Sequence, residues 1–140
     1  MQIKKMIFLI IVAGLVVFGL IQLVPYGRNH TNPPVTAEPA WDSPQTQALA
    51  MRACFDCHSN ETVWPWYSNV APVSWLVQRD VDQGRRRLNF SQWNTSGERE
   101  FSRVISRGSM PPWFYVIQHP SAVLSAAEKT QLEAGLTATK

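Results

Sequence analysis

The sequence is poor in cysteine, and its two cysteines lie close together. Cys54 and Cys57 are the only thiols among 140 residues. A structural zinc site usually takes a second pair of ligands at a matching spacing. Apart from His58, the only histidines are His30 and His119, and both are far away in sequence. This scarcity of ligands argues against a zinc site.

The sequence also lacks the alternating pattern of β-strands. No such alternation precedes Cys54, and neither paired strands nor internal repeats appear elsewhere. A thioredoxin-like dithiol opens a helix after a strand within a βαβ unit, so that class is not favoured. No flavin or nucleotide signature is present either. The pattern predicts an all-α chain.

Charge of either sign is scarce. The chain has 13 Lys and Arg against 10 Asp and Glu, which gives a formal net charge of +3. Lys4 and Lys5 precede the first apolar run, and without them the basic residues number 11, so the rest of the chain is nearly balanced. The small basic excess gives no reason to expect a nucleic-acid partner.

What the sequence does contain is a C-x-x-C-H pentapeptide, formed by Cys54, Cys57 and His58. This spacing is typical of c-type haem attachment. Two thiols separated by two residues can each add across a vinyl group of one porphyrin, and the histidine that follows can ligate the iron. The pentapeptide predicts one covalent haem c, with His58 as the proximal ligand. An ordinary pair of buried cysteines is the plain alternative.

A long apolar run near the N-terminus predicts a membrane anchor. Residues 6–24 are apolar apart from two glycines and one glutamine, which is long enough for a helix to span a bilayer core. Lys4 and Lys5 favour a cytoplasmic N-terminus. A cleaved signal peptide is the alternative, but residues 22–29 show no small-x-small cleavage signature. We expect an uncleaved single-pass anchor over residues 1–24 in the inner, cytoplasmic membrane, with the rest on the periplasmic side.

The remainder divides into a tether and one small domain. Residues 25–44 hold five prolines among small and polar residues, which predicts a semi-rigid tether. Residues 45–138 are predicted to form a mono-haem domain with a cytochrome c-like helical fold. The predicted helices are 45–53 after Pro44, 72–83 ended by Gly84, 96–107 capped by Ser96 and ended by Gly108, and a last helix from the Ser125–Glu128 capping box to about Thr137.

The sequence also predicts which side chains of these helices form apolar faces and which lie in the first turns. The helix over 72–83 should turn an apolar face inward, and the helix over 96–107 should hold acidic residues in its first turns. The residues expected to supply apolar faces are Val73, Leu76, Val77, Val81, Phe101, Val104, Ile105, Leu132 and Leu136, and the acidic pair is Glu98 and Glu100.

The second axial position on the iron decides whether a haem carries electrons or binds small molecules. Met110 is the first candidate for this distal position, because it follows Gly108 and precedes two prolines that impose an extended loop. Methionine ligation raises the reduction potential. The alternatives are that Met110 is a core residue and that His119, which would lower the potential, is the distal ligand.

Two further groups of residues have both a structural and a functional interpretation. Several aromatic residues either fill a small core or line a haem pocket: Trp64, Trp66, Tyr67, Trp75 and Trp113. The arginine run over residues 85–87 is either a solvated helix end or a clamp for propionates or an acidic partner.

Five segments are distinctive when taken together: C-F-D-C-H-S-N-E-T-V-W-P-W from residue 54, Y-S-N from 67, A-P-V-S-W from 71, N-F-S from 89 and M-P-P-W from 110. They resemble the bacterial haem-binding domain family related to c-type cytochromes, over roughly residues 41–137. The resemblance implies a mostly helical, single-haem domain behind an N-terminal anchor. It implies thioethers at Cys54 and Cys57, a proximal ligand at His58 and a distal ligand at Met110. The W-P-W-Y stretch differs from the usual loop of soluble cytochromes c.

The leading functional hypothesis is a membrane-anchored periplasmic mono-haem c-type cytochrome that carries single electrons between redox protein partners, rather than a catalyst. A haem-based sensor or small peroxidase with a labile distal ligand is the alternative, with His119 or the arginine run assisting on the distal side. A haem-free dithiol protein is the third hypothesis.

Overall fold

The structure is a computed structural model that describes residues 2–93 and 101–140. Over these residues it contains seven α-helices, two short 3-10 turns and no β-strand beyond one isolated bridge between Ala37 and Gln92. The predicted all-α class is confirmed. The α-helices are α1 Gln2–Ile21, α2 Pro44–Ala53, α3 Phe55–His58, α4 Val73–Arg87, α5 Phe101–Ser106, α6 Trp113–Gln118 and α7 Ala126–Ala138.

The chain forms two compact units. One unit comprises Met1–Thr31 and Trp64–Asp80, and the other comprises Asn32–Val63 and Val81–Lys140. We call them the anchor unit and the site unit. Helix α4 contributes its first half to the anchor unit and its second half to the site unit.

Helix α1 is the predicted apolar helix. It starts four residues before the apolar run, at Gln2, and ends at Ile21. None of its residues is buried within the protein. It is long and apolar enough to cross a membrane, and it is the only such helix in residues 2–93 and 101–140.

The core of the site unit joins α2, α5 and α7. Its buried residues are Leu49, Ala50, Ala53, Phe90, Trp93, Ile105, Ala122, Leu124, Leu132 and Leu136. The predicted burial of Leu132 and Leu136 is confirmed, since they are 0% and 2% exposed. Trp41 lies within the predicted tether, but it packs against this core with its ring centroid 5.4 Å from that of Phe90.

Residues 32–43, which precede α2, belong to the site unit and are hydrogen-bonded to other parts of it. The backbone N–H groups of Thr36 and Ala37 donate to the carbonyl of Ser91 at 2.9 and 3.2 Å. Ala40 and Lys140 exchange backbone hydrogen bonds of 2.8 and 3.2 Å. No helix lies between α1 and Pro44, as the prolines predicted. The boundaries proposed for the tether and the domain stay a prediction.

The predicted end of α4 at Gly84 is wrong, because the helix continues to Arg87. Its predicted apolar face is also only partly right. Val81 is buried, but Val73 and Leu76 are 40% and 55% exposed. The first half of α4 instead buries Ser74, because the polypeptide backbone of the anchor unit packs closely against that turn.

Helix α5 lies within the predicted third helix and ends at Ser106, one residue before the predicted end. Gly108 follows α5 with φ of 68°, the left-handed conformation expected of a helix stop. Ile105 is buried, whereas Val104 is 37% exposed because it lies outside the core. The predicted roles of Ser96, Glu98, Glu100 and the Phe101 side chain lie outside the described residues. Helix α6 was not predicted.

The capping box of α7 is confirmed. The Ser125 hydroxyl accepts from the Glu128 N–H at 3.2 Å, and the Glu128 carboxylate accepts from the Ser125 N–H at 2.8 Å. The same carboxylate accepts a hydrogen bond of 2.5 Å from Arg52 of α2. Glu128 therefore both starts α7 and connects it to α2.

Acidification should remove the contribution of Glu128 to stability. Hydrogen bonds from the Ser125 backbone and then from Arg52 lower the pKa of Glu128 to about 2, against an ordinary value of 4.5. Because the pKa is depressed in the folded state, the stabilisation is complete above about pH 4.5 and is lost as the pH falls towards about 2.

Glu128→Gln tests this expectation, because glutamine retains the hydrogen bonds of a capping box without the charge. Its free energy of unfolding, from urea titrations in detergent, should depend less on pH in the acidic range than that of the parent protein. The exposed Glu38→Gln serves as the control. An unchanged pH dependence in Glu128→Gln would contradict the assignment.

Candidate functional site

The pentapeptide over residues 54–58 lies on one short helical turn. Cys54 is the N-cap of α3, directly after the end of α2, and its carbonyl accepts from the N–H groups of Cys57 and His58 at 3.2 and 2.9 Å. Neither cysteine is in a disulfide, and both are half-buried. The turn therefore presents two unbridged thiols three positions apart, followed at once by an imidazole.

The Cys54 side chain packs against the hydrophobic core. Burial, and secondly the neighbouring Cys57, raise the pKa of Cys54 to about 12. The sulfur is thus a neutral thiol at physiological pH. A dithiol that exchanges disulfides depends on a thiolate, so this environment does not favour the thioredoxin-like alternative.

His58 is held in one tautomer. Its Nδ1 lies 3.1 Å from the carbonyl oxygen of Leu88, and because a carbonyl only accepts, Nδ1 must carry the proton. Burial lowers the pKa of His58 despite opposing hydrogen bonds to the backbone of Leu88 and Gly84. The ring is therefore neutral near pH 7, and Nε2 retains the lone pair that a metal ligand needs.

Gly84 allows α4 to touch the pentapeptide. A Cβ added at residue 84 would lie 2.2 Å from the carbonyl oxygen of Cys57 and 3.0 Å from its Cβ. Only glycine permits this backbone approach. This contact is the physical reason why a glycine stands inside α4 rather than at its end.

Arg85 bonds the loop that follows His58. Its Nε donates to the carbonyl of Ser59 at 2.8 Å, and its Nη2 donates to Thr62 Oγ1 and to Asn32 Oδ1, both at 2.9 Å. The Thr62 hydroxyl in turn donates to the carbonyl of Asp56 at 2.7 Å. Arg85 therefore holds the surroundings of the pentapeptide, and only the other two arginines of the run lie exposed at the helix end.

Asp56, inside the pentapeptide, connects it to α6. Its Oδ2 accepts a hydrogen bond of 2.6 Å from the Tyr115 hydroxyl, and its Oδ1 accepts from the Val63 N–H at 3.2 Å. Tyr115 lies on α6, which begins immediately after the M-P-P sequence. This bond links the segment that carries Met110 to the predicted attachment site.

Met110 is not a core residue. Its side chain is 36% exposed, while its N–H donates to the carbonyl of Val104 at 3.1 Å. His119 lies at the other end of α6, half-buried, and stacks on Tyr115 with ring centroids 4.2 Å apart. Both candidate distal ligands thus belong to the segment that Tyr115 attaches to Asp56. The choice between them stays a prediction.

Helix α6, which begins three residues after Met110, carries an apolar patch. Trp113, Phe114 and Ile117 are 73%, 48% and 61% exposed. Exposed apolar patches commonly mark a surface that binds something. The remaining aromatic residues that were predicted to line a pocket belong to the anchor unit: Trp64, Trp66, Tyr67 and Trp75.

The sequence does not predict the roles of several residues around the pentapeptide. The Leu88 carbonyl and the Tyr115 hydroxyl are ordinary groups, and nothing in the sequence pairs Tyr115 with an aspartate 59 positions away. Gly84 did carry a signal, because a glycine among helix-forming residues often marks a close backbone contact. Its place after the apolar residues of α4 equally fits the end of a helix, which is the prediction from the sequence.

These features define a small helical protein that presents two thiols outside any disulfide together with a neutral imidazole, a set of groups that suits an iron porphyrin. The sequence profile of the haem-binding domain family matches residues 16–138, so the chain belongs to that family. Searches of curated proteins and of solved structures gave no match.

Gly84→Ala should reduce haem binding. The added methyl group cannot fit against the Cys57 carbonyl, so α4 or the pentapeptide must shift, at a cost of about 1–3 kcal/mol. Haem per polypeptide, measured from absorbance of the purified protein, should fall. Arg86→Ala changes an exposed residue of the same helix and should retain full haem content. Equal haem content in the two variants would contradict the proposed contact.

Tyr115→Phe should weaken the attachment of α6. Losing the hydroxyl that donates to Asp56 should lower the free energy of unfolding by about 1–2 kcal/mol, as measured by urea titration. Tyr26→Phe, which changes a tyrosine that is 47% exposed, is the matched control. If both variants unfold at the same urea concentration as the parent, the bond does not stabilise the site.

Proposed function

We propose that this chain is a membrane-anchored, mono-haem c-type cytochrome that carries single electrons between redox proteins. The observation that carries the proposal is the geometry of the pentapeptide. Cys54 and Cys57 lie on one helical turn and are not in a disulfide, and His58 keeps its Nε2 lone pair. These groups suit covalent attachment and axial ligation of the same porphyrin.

In this proposal the two thiols hold the porphyrin as thioethers, and His58 is the proximal ligand. The bound haem supplies a one-electron iron couple. The protein keeps the imidazole oriented through the Leu88 carbonyl, while the Phe90 N–H fixes the His58 backbone by donating to its carbonyl at 2.8 Å. Such outer hydrogen bonds set the orientation and basicity of a ligating histidine.

Met110 is the proposed distal ligand. Its partly exposed thioether adjoins the apolar patch of α6, which can cover a porphyrin face and exclude water. The Tyr115–Asp56 bond attaches this segment to the pentapeptide. His119 is already stacked on Tyr115, which favours a structural role for that ring.

The proposed location is the inner membrane, with the haem domain on the periplasmic side. Helix α1 has the length and composition of a membrane span. Lys4 and Lys5, at its start, favour a cytoplasmic N-terminus, which leaves the pentapeptide on the opposite side. Haem attachment through this motif belongs to that outer face.

One observation favours a second candidate, a haem sensor or small peroxidase. Met110 is 36% exposed, as expected of a distal ligand that dissociates to admit a small molecule. The carrier remains the leading proposal, because the hydrogen bonds around Asp56 and Arg85 hold the surroundings of the pentapeptide in place.

Visible spectra of the detergent-extracted protein test the proposal. The carrier should show a low-spin c-type spectrum in both redox states and no change with carbon monoxide. A shift with carbon monoxide would favour the sensor or peroxidase. Loss of the haem on acid–acetone extraction would exclude covalent attachment altogether.

Met110→Ala should lower the reduction potential and open the iron to carbon monoxide, because a thioether ligand stabilises the reduced state. Redox titration and carbon monoxide difference spectra measure the two effects. His119→Ala is the matched control and should leave both unchanged. The opposite pattern, with only His119→Ala opening the iron, would transfer the distal role to His119.

A further inference from the structure

The end of α1 is bonded to a segment 49 positions later in the chain. The side-chain amide of Gln22 donates to the carbonyl of Ala71 and accepts from its N–H, both at 2.9 Å. Its second N–H donates to the carbonyl of Phe18 at 3.0 Å. A polar amide at the end of an apolar helix is costly without partners. The Gln22 amide has these partners, and its two bonds to Ala71 join the end of α1 to that residue.

Gly27 and His30 make further contacts that strengthen this junction within the anchor unit. Gly27 has φ of 78°, and an added Cβ would lie 2.4 Å from the carbonyl oxygen of Ser74. The Nε2–H of His30 faces the carbonyls of Gly27 and Ser68 at 3.2 and 3.1 Å. The His30 ring stacks on Trp64 with centroids 4.5 Å apart. The chain leaving α1 is therefore attached to residues 64–74 at several points.

This junction leaves an exposed aromatic side chain. Trp66 is 79% exposed, although its ring packs edge-on against Tyr67 at a centroid distance of 5.9 Å. At the end of α1, Leu23 and Tyr26 are 76% and 47% exposed. Both parts of the junction thus present apolar and aromatic side chains outward.

We propose that residues 64–71, which we call the aromatic platform, contact the lipid bilayer at its outer water interface, with the Trp66 indole in the headgroup layer. This proposal rests on the part of the proposed function in which α1 spans the membrane. The apolar run of α1 ends at residue 24, so Gln22 lies at the membrane boundary. Because the aromatic platform is bonded to Gln22 through Ala71, it lies at a similar depth relative to the bilayer.

The chemistry of the platform fits that depth. Tryptophan and tyrosine concentrate at membrane–water interfaces, because their rings are apolar and each carries one polar group. A bilayer is favoured over a protein partner as the occupant, since the platform is continuous with the spanning helix. The junction also predicts that α1 remains part of the mature chain, because cleavage after Gln22 would remove the amide that bonds the Ala71 backbone.

Fluorine NMR of the fluorotryptophan-labelled holoprotein in nanodiscs tests the proposal. Trp66→Phe assigns the Trp66 resonance, and Trp93→Phe assigns that of a buried core residue. Phosphatidylcholine spin-labelled near the headgroup should broaden the Trp66 signal beyond that of Trp93. Comparing discs with and without the spin label removes the constant effect of the haem iron.

Gln22→Ala should weaken this lipid-dependent broadening, because it removes the amide bonded to Ala71, while Gln2→Ala at the other end of α1 should not. A Trp66 signal that resists the lipid label but is broadened by a water-soluble gadolinium chelate would overturn the proposal and indicate a solvent-facing or protein-binding surface. If the holoprotein does not enter nanodiscs at all, the membrane part of the proposed function fails as well. Failure of the anchor is thus distinguished from failure of the platform proposal alone.

Discussion

The close contact between Gly84 of α4 and the carbonyl of Cys57 is the constraint on which the candidate site depends. Because no side chain separates the two backbones, the residues that follow Gly84 reach the pentapeptide and the loop after it. Arg85 reaches the carbonyl of Ser59, and the Leu88 carbonyl receives the Nδ1–H of His58. The absence of a side chain at Gly84 therefore allows the contacts that hold the loop and the imidazole.

Around that contact, the charged side chains of Asp56 and Arg85 form hydrogen bonds with neutral polar groups. Asp56 accepts from a hydroxyl and a backbone N–H, and the Arg85 guanidinium is shared between a carbonyl, an amide and a hydroxyl. This network is half-buried, and a polar network that is partly shielded from water favours one arrangement when its members are bonded. Such fixed surroundings are compatible with the proposed electron carrier, in which the protein orients the ligands and changes little between redox states.

Local sequence signals predicted the elements whose causes are local. Ser43 and Pro44 begin α2, the capping box begins α7 and Gly108 ends α5, because caps and turns depend on neighbouring residues alone. Predictions failed where a distant partner decides the outcome. Gly84 resembles a helix stop in isolation, and the exposed Val73 resembles an inward apolar residue. Trp41 resembles part of a tether, although it packs on a core assembled from the rest of the site unit.

By itself, the sequence determined the all-α class, the apolar first helix and the pentapeptide, since composition, periodicity and the spacing of three residues suffice for these. Only the tertiary structure decided which nitrogen of His58 stays open, which arginine of the run bonds the loop, and which residue connects α6 to Asp56. Each of these depends on groups far apart in the chain that meet within about 3 Å. Hydrogen bonds of that length require a folded backbone, and residue order alone does not specify them.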